Sequence, residues 1–394
     1  MNILLITAGV NNDKTSSWLV FSKFVSLMRL KYEANIQIIC LSPKFFNNSG
    51  VLGEKIYNVF LCNGLIINAL SMVNKQYFWF ISNFYAKIYS KKIVHHVEKY
   101  KIDKLWIIAD LLPMIVLDKI TEKKVFPYHI SVFDDLFLYQ GYASFIDKAS
   151  IKFKEIFKNA ASLDTPTSYL SDYYKSINIV NRNAITTESF VGVFKDCISP
   201  PKITNKVRKI ALTGSIYGID AFIAFITAVS EILNEERIEF HWMSNTFNIH
   251  AKYLQSKYRN IFEYVKIMPF IPESKIIEEL QNYDLLYLPM KFDERFRFQT
   301  DSSFPSKTHN YLASQIPIMV HTPRTSSLYN FFVKNDIGCI FDTLDPVDIK
   351  TKFKKLLDHN LRNKLSERIK IFNVTQIQNN HIKKLYNIIN ENTQ

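Results

Sequence analysis

FPSKTHNYLASQIPIMV, Phe304 to Val320, places a small-residue turn with one lysine at the mouth of a helix and runs directly into an apolar strand. Pro305 fixes φ and suits a helix start, and Ser306 is of a type that caps. The first free backbone N–H groups then point outward with Lys307 beside them. That layout suits a negatively charged group such as a phosphate, although the same residues also describe an ordinary capped helix before a buried strand. The rest of the chain separates the two readings.

Outward from this stretch, apolar runs alternate with helical patterns. In the second half, Lys209 to Thr213 reads as a strand running into GSIYG (Gly214 to Gly218) and a helix over Asp220 to Asn234. Strands are expected at Ile238 to Met243, Val265 to Met268, Leu285 to Pro289, Pro317 to His321 and Gly338 to Phe341, with helical stretches between them. In the first half the same alternation begins at Asn2 to Thr7 and the polar loop after Gly9. It continues through strands at Ile36 to Leu41, Lys104 to Ala109 and His129 to Phe133. Within ASLDTPTSYLSDYYK, a short strand leads to Thr167 or Ser168 as the cap of the next helix. Asn181 to Asn205, containing Pro200-Pro201, reads as a linker. Two α/β doubly wound domains with parallel sheets are therefore expected, facing each other across a crevice at the carboxyl ends of their strands.

Composition sets the outer limits. A chain of 394 residues exceeds one comfortable core, and 47% hydrophobic with 22% charged residues is ordinary for a folded protein. The net charge of +13 favours an anionic partner without choosing among nucleic acid, lipid and nucleotide. Cys40, Cys62, Cys197 and Cys339 form no CxxC pair, and Met1 leads straight into a strand pattern; both point to a reducing cytoplasm. Ile56 to Asn74 is uncharged but carries Asn58, Asn63, Asn68 and Ser71, which hydrocarbon does not accept cheaply. Gln76 to Lys92 sets aromatics beside Lys87, Lys91 and Lys92. It reads either as a helix at an anionic headgroup boundary or as an amphipathic helix whose aromatics face the core.

Five elements together carry a resemblance that spans essentially the whole chain: TAG at the end of the first strand, ASLDTPTSYLSDYY, LTGSIYG, NYDLLYLPM and FPSKTHNYLASQIPIMV. The chain resembles the GT-B glycosyltransferases, especially the retaining group that builds bacterial surface polysaccharide and lipopolysaccharide. The resemblance implies two Rossmann-like domains with a cleft between them: residues 1–200 for the acceptor, 201–375 for a nucleotide-sugar donor, and a C-terminal helix over 376–394 packing back towards the first domain. It also implies donor contacts from Gly9, from Gly214, Ser215, Tyr217 and Gly218, and from Pro305, Ser306, Lys307, Thr308 and Asn310. Asn310 stands where that family has a carboxylate for the ribose; its amide oxygen accepts the same hydrogen bonds without charge. No cofactor beyond the donor and no metal are expected.

The chemistry fits these residues. A nucleotide sugar reacts by losing a diphosphate, so the site must stabilise charge growing on the leaving group, a role for Lys307 and nearby backbone N–H groups. The glycines of GSIYG permit a close backbone approach, or simply a tight turn. Arg295 and Arg297 are candidates for a second cation, or form a solvated charge cluster. On the acceptor side, PYHISVFDDLF delivers His129 and Asp134-Asp135 towards a strand's carboxyl edge, with Asp134 the first choice for orienting a hydroxyl. Asp110 and Asp135 are acceptor-binding candidates. Asp135 also reads as a helix cap and His129 as a satisfied core histidine. His95-His96 lacks zinc spacing and reads as a solvated helical pair.

These expectations describe a cytoplasmic glycosyltransferase acting on a glycan or lipid-linked glycan, peripheral on the inner face of the membrane. Two alternatives share the scaffold: a nucleotide-sugar epimerase, and a catalytically silent partner in a polysaccharide assembly complex, which the loss of the acid at Asn310 favours. A nucleic-acid binder lacks any recognisable motif, and a dehydrogenase lacks G-x-G-x-x-G after the first strand.

Overall fold

A computed structural model describes residues 2–7, 16–41, 57–58, 75–132, 143–179, 184–186, 199–244, 249–272 and 274–390. The chain divides into two units, one formed by Met1–Ser189 with Asn380–Gln394 and the other by Phe190–Asn379.

The first unit runs β1 (Asn2–Thr7), α1 (Ser16–Tyr32), β2 (Asn35–Cys40), β3 (Tyr57–Asn58), α2 (Lys75–Lys99), β4 (Lys104–Ile108), α3 (Leu111–Thr121), β5 (Tyr128–Ser131), α4 (Ala143–Asn159), β6 (Ser162–Thr165), α5 (Ser168–Ser176) and β7 (Ala184–Thr186). Its sheet is parallel in the order β3-β2-β1-β4-β5-β6-β7. β1, β4 and β5 are buried almost throughout, as strands covered on both faces must be. β7 lies inside the stretch that reads as linker from its sequence: Ala184 to Thr186 pair with Leu163 to Thr165, extending the sheet by three residues. Thr167 caps α5, its hydroxyl accepting from Leu170 N.

The second unit runs β8 (Lys209–Thr213), α6 (Ile219–Glu235), β9 (Glu239–Met243), α7 (Ile249–Lys257), α8 (Arg259–Phe262), β10 (Val265–Met268), α9 (Ile276–Leu280), β11 (Leu285–Pro289), α10 (Arg297–Ser302), α11 (Lys307–Ser314), β12 (Ile318–His321), α12 (Ser327–Asn335), β13 (Cys339–Phe341), α13 (Pro346–Leu356), α14 (His359–Phe372) and α15 (Val374–Asn390). The parallel order is β10-β9-β8-β11-β12-β13. Strand alternation sends Leu285 and Tyr287 into one core and Leu286 and Leu288 into the other, so β11 is covered on both sides. α6 buries Phe222, Phe225, Ile226, Val229 and Leu233 at helical spacing, and Phe225 stacks on Tyr287 at 4.5 Å.

Both sheets thus have the doubly wound order, reversing between β1 and β4 in one unit and between β8 and β11 in the other. Ligands of such sheets sit where the order reverses, beyond the carboxyl ends. The last residues of α15 belong to the first unit: Phe24 meets His381 (5.6 Å between rings) and Tyr32 stacks on Tyr386 (4.3 Å). Among the described residues no helix is long and apolar enough to cross a membrane.

Candidate functional site

The reversal point of the second unit is built by the turn after β8, the loop after β11 and the start of α11. Gly214 adopts φ +65, where a side chain is strained, and a Cβ there meets nothing within 4 Å. Its carbonyl is fixed by Trp242 Nε1 (2.7 Å) and its N–H donates to Met243 O (2.9 Å). Gly218 serves a different need. A Cβ on it would stand 2.1 Å from Met290 O, so glycine is required for α6 to begin against the β11 loop. Asp220 completes the join, its Oδ2 accepting from Phe292 N (2.7 Å) and Asp293 N (3.1 Å). Ser215 and Tyr217 remain exposed above the turn.

Lys307 lies beneath that turn. It is buried, its ammonium donates to Ser215 O at 2.5 Å, and it sits 4.8 Å from the centre of the Tyr217 ring. Both partners are neutral, and among the described residues no carboxylate pairs with it. Burial pushes its pKa down to about 7. Ser306 is not the cap its sequence position suggests: its φ of −57 and ψ of −30 are already helical and its side chain makes no cap hydrogen bond. The turn begins earlier, with Thr308 N donating to Pro305 O (3.0 Å). Thr308 is wholly buried, and its hydroxyl has no hydrogen-bond partner among the described residues. Asn310, one turn beyond Lys307, shares its helix face and is half-buried.

Tyr311 is the residue that sequence reading missed. Its hydroxyl accepts from Thr213 N (2.9 Å) and reaches Tyr287 O (3.3 Å), locking α11 to the end of β8 and the middle of β11. That lock holds Lys307 under the Ser215 carbonyl. The only sequence signal was an aromatic residue four places after Lys307.

Arg295 and Arg297 are not brought to Lys307. Arg295, largely exposed, pairs with Asp293 (2.5 Å) and holds that carboxyl below its usual range. Arg297 lies 3.6 Å from Glu294 and 3.5 Å from Asp301. On that loop Lys291 sets its backbone N against Gly218 and its ammonium over the Phe296 ring at 3.8 Å.

In the first unit, His129 is wholly buried, with Nδ1 against Ser162 Oγ (2.8 Å) and Nε2 against Asp164 Oδ1 (2.9 Å). A ring so enclosed is not available to an acceptor hydroxyl, so the core-histidine reading replaces the catalytic one. Asp164, 35 residues away, is the partner that sequence alone did not reveal. His96 is likewise not solvated: it is buried against Gln37 Oε1 (2.6 Å), while His95 is exposed. Asp110 is exposed just beyond β4, at the carboxyl edge, and opens α3. Gly9, Asp134 and Asp135 lie outside the described residues. Among the described residues, no three or more His, Cys, Asp and Glu side chains group as a metal site.

No protein-family model matches the chain, and no curated protein sequence does. Solved structures match it end to end. The lipopolysaccharide outer core galactosyltransferase WaaB superposes with a TM-score of 0.61 at 13% identity, covering 98% of this chain and 99% of that one. The trehalose-6-phosphate structure from E. coli bound with UDP-2-fluoro glucose gives 0.65 at 8% identity, with both chains fully covered. S. aureus MnaA in complex with UDP gives 0.55 at 12% identity, covering 100% and 99%. Likeness at this identity establishes architecture, and the two parallel α/β sheets agree with it: the chain has the GT-B fold.

Proposed function

We propose that the chain is a glycosyltransferase that moves a sugar from a nucleotide-sugar donor to a glycan or glycolipid acceptor in bacterial cell-surface polysaccharide synthesis. The observation that carries this reading is Lys307, a lysine buried at the reversal point of a GT-B sheet with, among the described residues, a carbonyl and an aromatic ring for company. Such a charge is costly until an anion arrives. The diphosphate of a nucleotide sugar supplies one, beside the open space at Gly214 and the exposed Ser215.

In this reaction the bond between the anomeric carbon and the diphosphate oxygen breaks, and its electron pair leaves with the diphosphate. The acceptor oxygen bonds to the anomeric carbon, and its proton passes to a base, for which Asp134 is the proposed residue and Asp110 a proposed acceptor contact. Charge grows on the leaving group as the bond breaks, so Lys307 stabilises the transition state more than the ground state. Neutral Asn310 is assigned to the ribose hydroxyls. We place the protein in the cytoplasm, with its acceptor lipid-linked.

The test is incubation with nucleotide sugars and lipid-linked glycan from a surface-polysaccharide-producing bacterium. Release of free nucleotide only when acceptor is present supports the transferase. Conversion of the donor sugar without acceptor makes the protein an epimerase, and nucleotide binding without turnover makes it a silent partner.

A further inference from the structure

The surface of the first unit carries a charge pattern that donor chemistry does not use. On α2, the side chains of Ala86, Tyr89, Ser90, Ile93, His96 and Val97 are buried against the unit. Phe84, Lys87, Ile88, Lys91, Lys92 and His95 are exposed; at about 100° per residue they fall within one arc of roughly 140°. Phe84 is 57% exposed and Ile88 38%. Among the described residues the three lysines make no ion pair. Lys123, in the turn after α3, joins them by donating to Ser90 Oγ at 2.7 Å; burial and then the charge of Lys91 push its pKa down, Glu122 opposes, and Lys87 and Lys119 add smaller lowering effects. Val125, two residues on, is 91% exposed.

The neighbouring carboxylates are spent elsewhere: Glu98 on Lys124 (3.0 Å), Asp118 on Lys119 and Lys152 (3.1 and 3.0 Å), and Glu122 on the same two lysines. α13 in the second unit shows the contrast. Its Lys350 pairs with Glu231 (2.6 Å), and its Lys352 with Asp342 (2.6 Å) and Asp348 (2.8 Å). Lys350 and Lys352 are thus neutralised, whereas Lys87, Lys91 and Lys92 have no such carboxylate among the described residues.

We infer that the outer face of α2, with the Lys123–Val125 turn, docks on a bilayer of anionic lipid, its lysines on the headgroups and Phe84, Ile88 and Val125 in the acyl boundary. Charge complementarity favours an anionic surface, and the interleaved apolar side chains favour a bilayer over a nucleic acid, which offers no apolar layer to receive them. The inference rests on the first unit's surface and not on donor chemistry, so it stands or falls apart from the proposed activity.

The experiment is co-sedimentation of the full chain with phosphatidylglycerol-containing and pure phosphatidylcholine vesicles at low and high salt. Each lysine near an anionic surface is worth roughly fivefold in partition, so changing Lys87, Lys91 and Lys92 together to Glu is expected to lose about a hundredfold or more. Phe84→Ser with Ile88→Ser removes the salt-resistant remainder. Lys350→Glu with Lys354→Glu leaves binding unchanged, and unaltered melting temperatures show that each variant is folded. Equal binding to both vesicle types, indifference to the triple change, absence of binding, or preference for a single-stranded RNA competitor overturns the inference.

Discussion

The two units use positive charge in opposite ways. Lys307 in the second unit is single, buried and held by neutral groups; Lys87, Lys91 and Lys92 in the first are clustered, exposed and, among the described residues, unpaired. A buried cation gains strength from low dielectric and is poorly screened by salt, so it suits one anion of defined shape. An exposed cluster works through a field that salt collapses within a Debye length, about 8 Å at physiological ionic strength, so it suits an extended surface. Raising salt should therefore weaken vesicle binding far more than nucleotide binding, and similar slopes for the two would dissolve the distinction.

The largest effect should come from the floor of the proposed donor site. Gly218→Ala forces Met290 O away from α6, and overpacking of this kind costs about 1 to 3 kcal/mol. The variant should melt several degrees lower and bind nucleotide more weakly, while its vesicle binding stays intact. An unchanged melting curve would show that the β11 loop yields freely.

Proton linkage is the next test, because the sign differs between stability and affinity. With Lys307 near 7 in the fold and near 10.5 when unfolded, the unfolded chain holds more protons between those values, so this group makes the unliganded protein more stable as pH rises from 7 to 10.5. A diphosphate prefers the charged ammonium. Its affinity should fall over the same window, by up to about tenfold per pH unit, until the pKa of the complex is reached. Buffer-dependent calorimetry should show proton uptake on binding above pH 7; none there would mean that Lys307 is already charged. His321 and His381, pushed down to about 4 by burial, act at the other end: each contributes stability present at neutral pH and lost as pH falls from about 6.5 towards 4.

A smaller effect concerns the ribose. Asn310→Leu should cost about 1 kcal/mol of nucleotide binding, with Asn310→Asp retaining most of it. Equal affinities across the three would detach this position from the donor. The smallest change is at Gln315, which ends α11 in the left-handed region at φ 61 with its Oε1 unpartnered among the described residues. Gln315→Gly should relieve about 1 kcal/mol and raise the melting temperature without altering affinity; a lower melting temperature would assign that side chain a packing role.

Most of the second unit was legible because its strands are apolar runs bounded by glycine, proline or charge. Lys209 to Thr213, Val265 to Met268 and Leu285 to Pro289 have the bounds their pattern suggests. β7 was hidden because three residues in polar surroundings carry no period, and only pairing with Leu163 to Thr165 makes them a strand. The site divides similarly. Lys307 stood out because a lone cation beside Pro and Ser at a helix mouth has a local signature. Its carbonyl and ring partners, 92 and 90 residues earlier in the chain, do not. Tyr311 reaches Thr213 across 98 residues, and His129 found Asp164 rather than an acceptor. Local pattern identifies which residue can bear a function, whereas the groups that bury, pair or lock it are brought together only by the sheet.

The central claim is that the buried ammonium of Lys307 receives the diphosphate of a nucleotide sugar. The most direct measurement is titration of UDP, GDP, ADP and CDP, each beside its nucleoside, into the wild-type chain and Lys307→Met. At least one diphosphate should bind the wild type more tightly than its nucleoside. In the variant that advantage should shrink by about 1.5 to 3 kcal/mol, tenfold or more, with folding unimpaired. A diphosphate that binds both proteins equally, or a panel in which none binds the wild type, would contradict it.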